Sequence, residues 1–518
     1  MSCTTILVGK KASYNGSTMI ARNDDSGAGN FTPKKFVVKK PEEGKTEYES
    51  VLSHCKIEIP AKGYKYTAVP NALKGEGNWD AGGINEHDVA MTATETIAVN
   101  ERVLGADPMV EAKGWTDEEK EEGVTKISGG IGEEDLVTLI LPYIKTAREG
   151  VIRLGELLEK YGTYESNGIA FSDKNEIWWA ETIGGHHFIA RRVPDECYVV
   201  MPNQQGIDDF DLEDAFGVQK EFICSKDLKE FISENHLNLF NEIFDLPEDY
   251  DFDPEDDPFV SGEMINARLV FGTHDDADHV YNTPRAWYML RYFNPNTFDW
   301  DGSDAEFRPD SDDLPWCLTP EKKITSEDVK YILSSHFQGT PFDPYLSHGN
   351  KEMAGAFRSI GINRTDFMGF AEIRGDLPKA YRSIFWLAFA SNAFNVMIPQ
   401  YTNIDKTPDY LSTTEKDVST ESFYWTSRLI AAMADASFSK SQNSIERYHN
   451  AVQSKAREIM NRHEKAFAAG SEKATKKNLE SVNQELADML KDEAEKTLKT
   501  VLNNTSNQMK NQYARSDI

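Results

Sequence analysis

Residues 3–25 read CTTILVGKKASYNGSTMIARNDD, and this stretch predicts a β-hairpin. Two short β-favouring runs, TTILV and TMIA, flank a polar segment that contains Asn15-Gly16, a strong turn signal. The return strand brings the polar run RNDD (22–25) back toward the N-terminus. A thiol at Cys3 and a group of charged side chains are therefore expected at the same end of the hairpin.

Cys3 has the surroundings that a nucleophile needs. A free thiol has a pKa of about 8.5, so it needs a base or a cation to form the thiolate. If the two residues before Cys3 are removed, its own α-amine, with a pKa of about 7.7–8.0, can accept the thiol proton and return it to a leaving amine. Arg22, Asp24 and Asp25 offer the guanidinium and carboxylate for such a site. The alternative is a small apolar residue at a strand start, with RNDD as surface charge.

Composition narrows the class of protein. The 518 residues include 56 Lys and Arg against 86 Asp and Glu, a formal net charge of −30, which opposes binding to nucleic acid or to anionic membranes. We find no signal-peptide pattern and no run of about eighteen apolar residues, so a cytoplasmic protein is expected. The five cysteines are scattered and odd in number, which favours reduced thiols over a disulfide framework.

The order of strands and helices predicts layered α+β structure. Antiparallel strands are expected at 83–99, 168–193 and 197–203, and a second set at 358–375 and 383–402. One helix with a buried stripe is expected over 133–161, kinked at Pro142, and another over 326–336. The charged segments 422–467 and 471–502 predict a long helical hairpin used for packing or oligomer contact.

Three other patterns have ordinary structural interpretations. His186-His187 would point to opposite faces of a strand and has no further ligand cluster, so no metal site is predicted. Trp178-Trp179 is expected in the core. The acid-rich stretches 207–214, 246–258 and 308–315 lack the ligand spacing of a calcium loop and are expected to be solvated surface loops.

Several longer motifs resemble one peptidase family over roughly residues 3 to 410. They are the N-terminal hairpin itself, GGINEHDVAMTATET, GEEDLVTLILPY, EKYGTYESNGIAFSDKNEIWWAETIGGHHFIARRVPDE, YNTPRAWY, IGINR and PQYTN. Together they resemble the cysteine dipeptidases of peptidase family C69, which are related to the bile-salt and penicillin V acylases among the N-terminal-nucleophile hydrolases.

The resemblance implies a role for individual residues. It makes Cys3 the nucleophile, Arg22 the guanidinium beside its sulfur, and Asp25 the carboxylate that orients the α-amine, with Asp24 as the second choice. It makes Asn203, in VVMPNQ, the amide that helps to hold the oxyanion or the substrate, and Arg285, in YNTPRAW, a late arginine of the superfamily. Arg268 in NARLV is the weaker candidate for this arginine.

Two departures from the acylase pattern matter. Thr94-Glu95 stands where the acylases have an oxyanion-hole asparagine, which argues against bile salts and penicillins. Both residues are candidate substrate-binding residues, because Glu95 offers a carboxylate to the α-ammonium of a dipeptide; the alternative is an exposed strand residue. Met1 and Ser2 precede Cys3, and a cleavage after Ser2, self-catalysed, is expected to expose the amine.

The resemblance implies a four-layer αββα fold, in which two stacked antiparallel sheets lie between helices, with a C-terminal helical extension. The expected divisions are a leader at 1–2, the catalytic domain at 3–415 and a helical hairpin at 416–518. The implied function is hydrolysis of dipeptides through an acyl-thioester, without metal or other cofactor, in a homo-oligomer that binds neither nucleic acid nor membrane. The alternatives are another amide hydrolase of the choloylglycine or penicillin acylase type, and an inactive scaffold.

Overall fold

The computed structural model describes residues 2–27, 30–93, 95–239, 264–273 and 275–510. Within them, a seven-stranded antiparallel sheet contains the N-terminal hairpin at its centre. From edge to edge its strands are β17 (Cys317–Leu318), β13 (Tyr198–Met201), β1 (Ser2–Val8), β2 (Thr18–Asp25), β18 (Thr365–Ile373), β19 (Ser383–Phe389) and β20 (Ile398–Tyr401). The predicted hairpin of β1 and β2 is confirmed, and Gly16 in its turn has φ +76°.

A second antiparallel sheet has nine strands among the described residues. Eight follow one another as β15 (Phe222–Cys224), β12 (His187–Arg192), β11 (Ile177–Ile183), β10 (Asn167–Ser172), β8 (Ala90–Thr92), β7 (Gly82–Asn85), β6 (Tyr66–Ala68) and β3 (Val37–Lys39), and β9 (Glu95–Thr96) also pairs with β10. There are also two two-stranded antiparallel sheets among the described residues. In one, β4 (Glu47–Glu49) pairs with β5 (Lys56–Glu58), and in the other, β14 (Phe210–Asp211) pairs with β16 (Met264–Ile265).

The helices connect and cover these sheets. They are α1 (Glu101–Ala106), α2 (Asp117–Glu121), α3 (Glu133–Ile140), α4 (Ala147–Tyr161), α5 (Leu212–Phe216), α6 (Leu228–Glu234), α7 (Ala267–Phe271), α8 (Asp278–Tyr281), α9 (Thr283–Phe293), α10 (Ser326–Leu333), α11 (Asp409–Ser412), α12 (Phe423–Ala436), α13 (Phe438–Ala468) and α14 (Lys476–Ser506). In the described part of the chain, no helix is long and apolar enough to cross a membrane.

The two sheets contact each other: β2 packs against β8 and β10, β1 against β9, and both β18 and β19 against β7. Helix α4 packs on β10, β11 and β12, whereas α12, α13 and α14 pack on β19 or β20 of the other sheet. Consequently every residue of β2, β10, β11, β18 and β19 is buried, as expected for strands covered on both faces. The mixed α+β class with long C-terminal helices is confirmed, and Trp178 and Trp179 lie in the core.

The single helix expected over 133–161 was wrong, because the chain leaves the α-helix around Pro142. Helix α3 ends at Ile140, a 3-10 turn covers Leu141–Tyr143, and α4 begins at Ala147. Proline has no backbone N–H and its ring clashes with the preceding turn of an α-helix. A kink was expected, but the structure has a complete break.

The acid-rich stretches differ from one another. Residues 207–214 were expected to be a solvated loop, which is wrong, because they contain β14 and the start of α5 and bury Ile207, Phe210 and Leu212. Residues 308–315 are mainly turns with exposed acids, as expected. Residues 246–258 lie outside the described residues.

Candidate active site

The hairpin register decides which side chains share a face with Cys3. Cys3 lies opposite Asp24, and Thr5 lies opposite Arg22. Because residues that face each other across an antiparallel pair point to the same side, Cys3, Asp24 and Arg22 share one face. Asp25 belongs to the opposite face.

Arg22 and Asp24 form a buried network of ion pairs. Nη2 of Arg22 donates to Oδ1 of Asp24 at 2.9 Å and to Oε1 of Glu133 at 3.1 Å, and Nζ of Lys34 lies 2.8 Å from Oδ2 of Asp24. The four side chains are each only 2% exposed. Although burial raises the pKa of Asp24, the Lys34 and Arg22 cations hold it below its usual value. The carboxylates are therefore paired with cations, as buried charges must be.

The Cys3 thiol is fully buried in this network. Burial raises its pKa far above the ordinary range, the Arg22 guanidinium lowers it, and the carboxylates of Glu133 and Asp24 raise it. The backbone N–H of Cys3 donates to Oδ1 of Asn203 at 3.1 Å. While Ser2 remains attached, this nitrogen is a peptide N–H and cannot act as a base.

Asn203 and Arg285 join three elements around Cys3. Asn203 follows β13, and its Nδ2 donates to the carbonyl of Thr96 at 2.7 Å. Arg285, from α9, is fully buried; it donates to the Cys3 carbonyl, to Oδ1 of Asn203 at 2.9 Å and to Oγ1 of Thr4 at 2.7 Å. Burial, followed by the charge of Arg358, lowers the pKa of Arg285 to about 9. Both residues are therefore in contact with the backbone of Cys3, the predicted nucleophile.

The weaker alternative for the late arginine has a different environment. The Arg268 guanidinium donates to the carbonyls of Gly206 and Asp312, at 2.9 and 2.8 Å from Nη2 and Nη1. Arg285, in contrast, donates to the carbonyl of Cys3.

Glu95 is completely buried, so its interpretation as an exposed strand residue was wrong. Within the described residues, neither of its carboxylate oxygens has a partner in hydrogen-bond geometry. Burial raises the pKa of Glu95 to about 7, and the nearby Arg285, Thr5 and Arg22 lower it. Such a carboxylate is suited to a cationic ligand group. Thr94, the other predicted substrate-binding residue, lies outside the described residues.

Asp25, the predicted partner of the α-amine, is held from its own side of the hairpin. Arg358 forms an ion pair with its Oδ2, and Oγ1 of Thr365 donates to its Oδ1 at 2.6 Å. These contacts fix the Asp25 carboxylate at the end of β2, where Asp25 lies opposite Thr365 of β18. Its role toward the amine stays a prediction.

Comparison with known proteins gives the family. Residues 2–451 match the family described as "Peptidase family C69". The chain belongs to peptidase family C69. The resemblance inferred from the sequence motifs is thereby confirmed.

Individual relatives of this C69 peptidase are similar over most of their length. A "Dipeptidase" of Bifidobacterium longum (strain NCC 2705) is 50% identical and covers 100% of both chains. A "Probable dipeptidase A" of Streptococcus pyogenes serotype M3 (strain SSI-1) is 46% identical, again over 100% of both. "Dipeptidase A" of Lactobacillus helveticus is 42% identical over 84% of this chain and 82% of the relative.

Glu133 is a residue of the candidate site that sequence reasoning missed. Its carboxylate, the Asp24 carboxylate and the Cys3 sulfur each place an atom within 4.8 Å of the others. Its backbone N–H donates to the Glu165 carboxylate at 2.6 Å, and its Oε2 has no hydrogen-bond partner among the described residues. The only signal was the run EED in GEEDLVTLILPY, which also fits an ordinary acidic first turn of a helix.

The three potential ligand atoms around Cys3 do not resemble an open cation site. Nη2 of Arg22 already bridges Asp24 and Glu133, and Lys34 pairs with the second oxygen of Asp24. Two side-chain cations therefore balance the two carboxylates.

His186 and His187 do not point to opposite faces of a strand, as was expected. His186 lies in the turn before β12, and Nδ1 of each ring is within 2.8 Å of the Asp107 carboxylate. The alternation of side chains along a strand does not apply to this pair, because only His187 belongs to β12. In this C69 peptidase the two histidines hold Asp107, which caps the C-terminus of α1, against the second sheet.

Proposed function

We propose that this member of peptidase family C69 hydrolyses dipeptides to free amino acids, with Cys3 as the nucleophile once Met1 and Ser2 are removed. The observation that carries the proposal is the Cys3 thiol beside the Arg22 guanidinium in a buried cluster of paired charges. The relatives named dipeptidase support the same substrate class.

Removal of the two residues would convert the Cys3 nitrogen into a base. This nitrogen is at 3.1 Å from Oδ1 of Asn203. As a primary amine with a pKa of about 7.7–8.0, it can take the thiol proton at neutral pH. In this proposal Arg22 favours the thiolate, and Asp25 orients the ammonium form from the neighbouring strand.

The reaction then proceeds in two steps. The thiolate attacks the peptide carbonyl carbon, and the ammonium gives its proton to the leaving nitrogen as the C–N bond breaks. The second amino acid leaves, and the first is joined to Cys3 as a thioester. Water attacks the thioester, one of its protons passes through the amine to the sulfur, and the first amino acid is released with the thiol regenerated.

Asn203 and Arg285 are suited to negative charge that develops on the carbonyl oxygen. Arg285 donates to the Cys3 carbonyl. Asn203 accepts the Cys3 N–H through Oδ1, while its Nδ2, which carries two hydrogens, donates to the Thr96 carbonyl. These contacts hold the donor groups of both residues close to the reacting atoms. Preorganised donors in a buried site stabilise an oxyanion strongly, because water does not need to reorganise.

Glu95 supplies the proposed specificity for a free α-ammonium. It is buried, is without a hydrogen-bond partner among the described residues, and lies near Arg285 and Arg22 of the same cluster. A dipeptide's ammonium would satisfy this carboxylate, whereas a bile acid or penicillin has no cation to offer. Thr94 stays a proposed substrate-binding residue from the sequence.

The proposal includes the αββα arrangement of N-terminal-nucleophile hydrolases. It is supported by the two contacting sheets, with α4 on one and α12–α14 on the other. The proposed divisions are a leader at 1–2, a catalytic domain at 3–415 and a helical region at 416–518 that packs on that domain or mediates a homo-oligomer.

The test combines intact mass and N-terminal sequence of the purified protein with its rate on a simple dipeptide, beside Cys3→Ser. We expect a chain that begins at Cys3, and hydrolysis to two free amino acids by the cysteine form alone. An active chain that keeps Ser2 would exclude the α-amine as base. A processed chain that cleaves acylated amides but not dipeptides would favour an acylase, and one with no activity would favour a scaffold.

A further inference from the structure

A pair of cysteines, Cys197 and Cys317, lies at the other end of β1 from Cys3. The carbonyl of Cys197 accepts the N–H of Gly9, directly after β1, and Cys317 begins the edge strand β17. In the register, Val199 faces Cys317 and Tyr198 faces Leu318. Cys197 comes directly before β13, and its bond with Gly9 continues the β1–β13 ladder to this residue. Because side chains two residues apart along such a ladder share a face, Cys197 and Cys317 are diagonal neighbours on the same side of the sheet.

The two cysteines are neighbours at a partly exposed edge of the sheet. Both residues are partly exposed, whereas Cys3, Cys55 and Cys224 are buried. Sγ of Cys197 lies 3.7 Å from Oγ1 of Thr319. The neighbouring Cys317 thiol lowers the pKa of Cys197 to about 7, while burial raises it, and Cys197 in turn raises the pKa of Cys317. The two thiols therefore lose their protons as a coupled pair, the first proton more readily than the second.

We propose that Cys197 and Cys317 form a thiol–disulfide exchange site, which low-molecular-weight disulfides oxidise to a reversible disulfide between β13 and β17. This site is separate from the peptidase chemistry and does not depend on it. In a reducing compartment, disulfides of this type are transient rather than structural.

The thiol–disulfide exchange takes place in two steps. The Cys197 thiolate attacks one sulfur of the small disulfide, forms a mixed disulfide and releases one small thiolate, which takes up a proton. Cys317 then loses its proton to water and attacks the Cys197 sulfur, which expels the second small thiol. The two cysteines lose two electrons and two protons, and the small disulfide is reduced to two thiols.

The charge around Cys317 favours a cationic oxidant. A cavity of about 510 Å³ opens beside it, lined by four aspartates and two arginines: Asp208, Asp209, Asp312, Asp313, Arg191 and Arg268. The carboxylates outnumber the cations, and the whole chain carries a formal charge of −30. Since local potential changes the encounter rate of charged reactants, cystamine is expected to react faster than oxidised glutathione.

The disulfide would link the short edge strand β17 covalently to the residue before β13. Strand β17 has two residues and pairs only with β13 in the described sheet. A disulfide between residues this distant in the sequence restricts the unfolded chain strongly, so the oxidised protein is expected to melt at a higher temperature.

The direct test is peptide mapping of the full-length Cys3→Ser protein after incubation with cystamine, with and without later reduction. Using this variant keeps the proposed nucleophile out of the reaction. We expect a Cys197–Cys317 disulfide, with the loss of two hydrogen atoms from the intact mass, that dithiothreitol reverses. Separate cystamine adducts or unchanged thiols at both cysteines would overturn the proposal.

Two variants in the same background complete the test. With Cys197→Ser, we expect no increase in melting temperature on oxidation, whereas the matched control Cys224→Ala, which removes a buried cysteine, keeps the increase. An equal increase in the Cys197→Ser protein would mean that the pair is not the reactive site. Faster reaction with oxidised glutathione than with cystamine would overturn the role given to the surrounding carboxylates.

Discussion

Glu95 is a buried carboxylate that the folded protein stabilises poorly until a cation arrives. Its pKa rises from an ordinary value of about 4.3 to about 7 because of burial. Between these two values the folded state binds more protons than the unfolded state, so this residue lowers stability as the pH rises through that window. The same carboxylate is proposed to pair with the substrate. Its burial without a cation therefore both lowers the stability of the folded protein and favours binding of the substrate's ammonium group.

Glu95→Gln is therefore expected to raise the KM for dipeptides while changing kcat less. In the parent enzyme, KM should increase as the pH falls from 8 to 6, because protonated Glu95 no longer attracts the ammonium; the variant should lose this dependence. At pH 8 the variant should also be more stable by at least about 1 kcal/mol in urea unfolding. Steady-state kinetics across this pH range measures the first effect.

Glu181→Gln is the matched control, because Glu181 is equally buried and burial raises its pKa to about 7, but it bonds the backbone of Gly206 instead. It should leave the pH dependence of KM unchanged. A Glu95→Gln enzyme with the parent's KM at pH 8 would show that another group binds the ammonium.

Glu133→Gln tests a positioning role through Arg22. The substitution removes one of the two carboxylates that hold Nη2 of Arg22 and a negative charge that raises the pKa of Cys3. We expect kcat to fall roughly 10-fold or more, because misplaced catalytic groups lose rate steeply. The pH profile of Cys3 alkylation by iodoacetamide should move to lower pH, a shift that loss of stability alone would not produce.

The neighbouring residue provides the control for this change. Glu134 is also buried on α3, but its carboxylate accepts the N–H groups of Val51 and Leu52. Glu134→Gln should leave the alkylation profile in place even if it lowers stability. An unchanged profile in Glu133→Gln would remove Glu133 from the active site.

How much of this site the sequence could predict depends on the distance along the chain. Cys3, Arg22 and Asp24 meet within one hairpin, whose apolar runs and Asn15-Gly16 turn are visible in the sequence. Glu133 comes from α3, more than a hundred residues later, and no local pattern connects it with Cys3. Arg285 and Asn203 were found only because family motifs carry them.

At the scale of elements, the break between α3 and α4 shows a similar limit of prediction from the sequence. The 3-10 turn at Leu141–Tyr143 leaves carbonyls without helical partners, and Asn85 at the end of β7 satisfies them. Its Nδ2 donates to the carbonyls of Leu141 and Ile144, both at 2.8 Å. Pro142 indicated that the helix is disturbed at this point. Whether it kinks or breaks depends on Asn85, which lies far away in the sequence, and the hydrophobic periodicity of the helix cannot show such a contact.

Asn85→Ala is accordingly expected to destabilise the protein by about 2–4 kcal/mol, because two buried carbonyls lose their donor. Asn85 also accepts the N–H groups of His87 and Val89 and is 3% exposed, so water cannot readily replace it. Urea unfolding measures the change. A loss below about 0.5 kcal/mol, typical of a surface substitution, would mean that the break does not depend on this side chain.

For the whole molecule, the long C-terminal helices are confirmed, but the segment predicted over 422–467 divides at Ser437 into α12 and α13. These helices are part of the main core. Helix α13 ends at Ala468 and α14 begins at Lys476, close to the predicted interruption. Asn483 on α14 accepts the N–H of Tyr401 and donates to its carbonyl, at 2.8 and 2.9 Å. The helix therefore satisfies both backbone groups of a residue in the edge strand β20.

Removing residues 416–518 is expected to leave a chain that does not fold. The deletion would expose the edge strand β20 and the apolar residues beneath α14, and exposed edges and large apolar patches promote aggregation. Expression of 1–415 beside the full chain, followed by circular dichroism and size-exclusion chromatography, measures this. The full-length variant Asn483→Ala should fold but unfold at lower urea, because it leaves both backbone groups of Tyr401 unpaired. If 1–415 is instead a folded, active monomer, the C-terminal helices are an appendage rather than a part of the catalytic core.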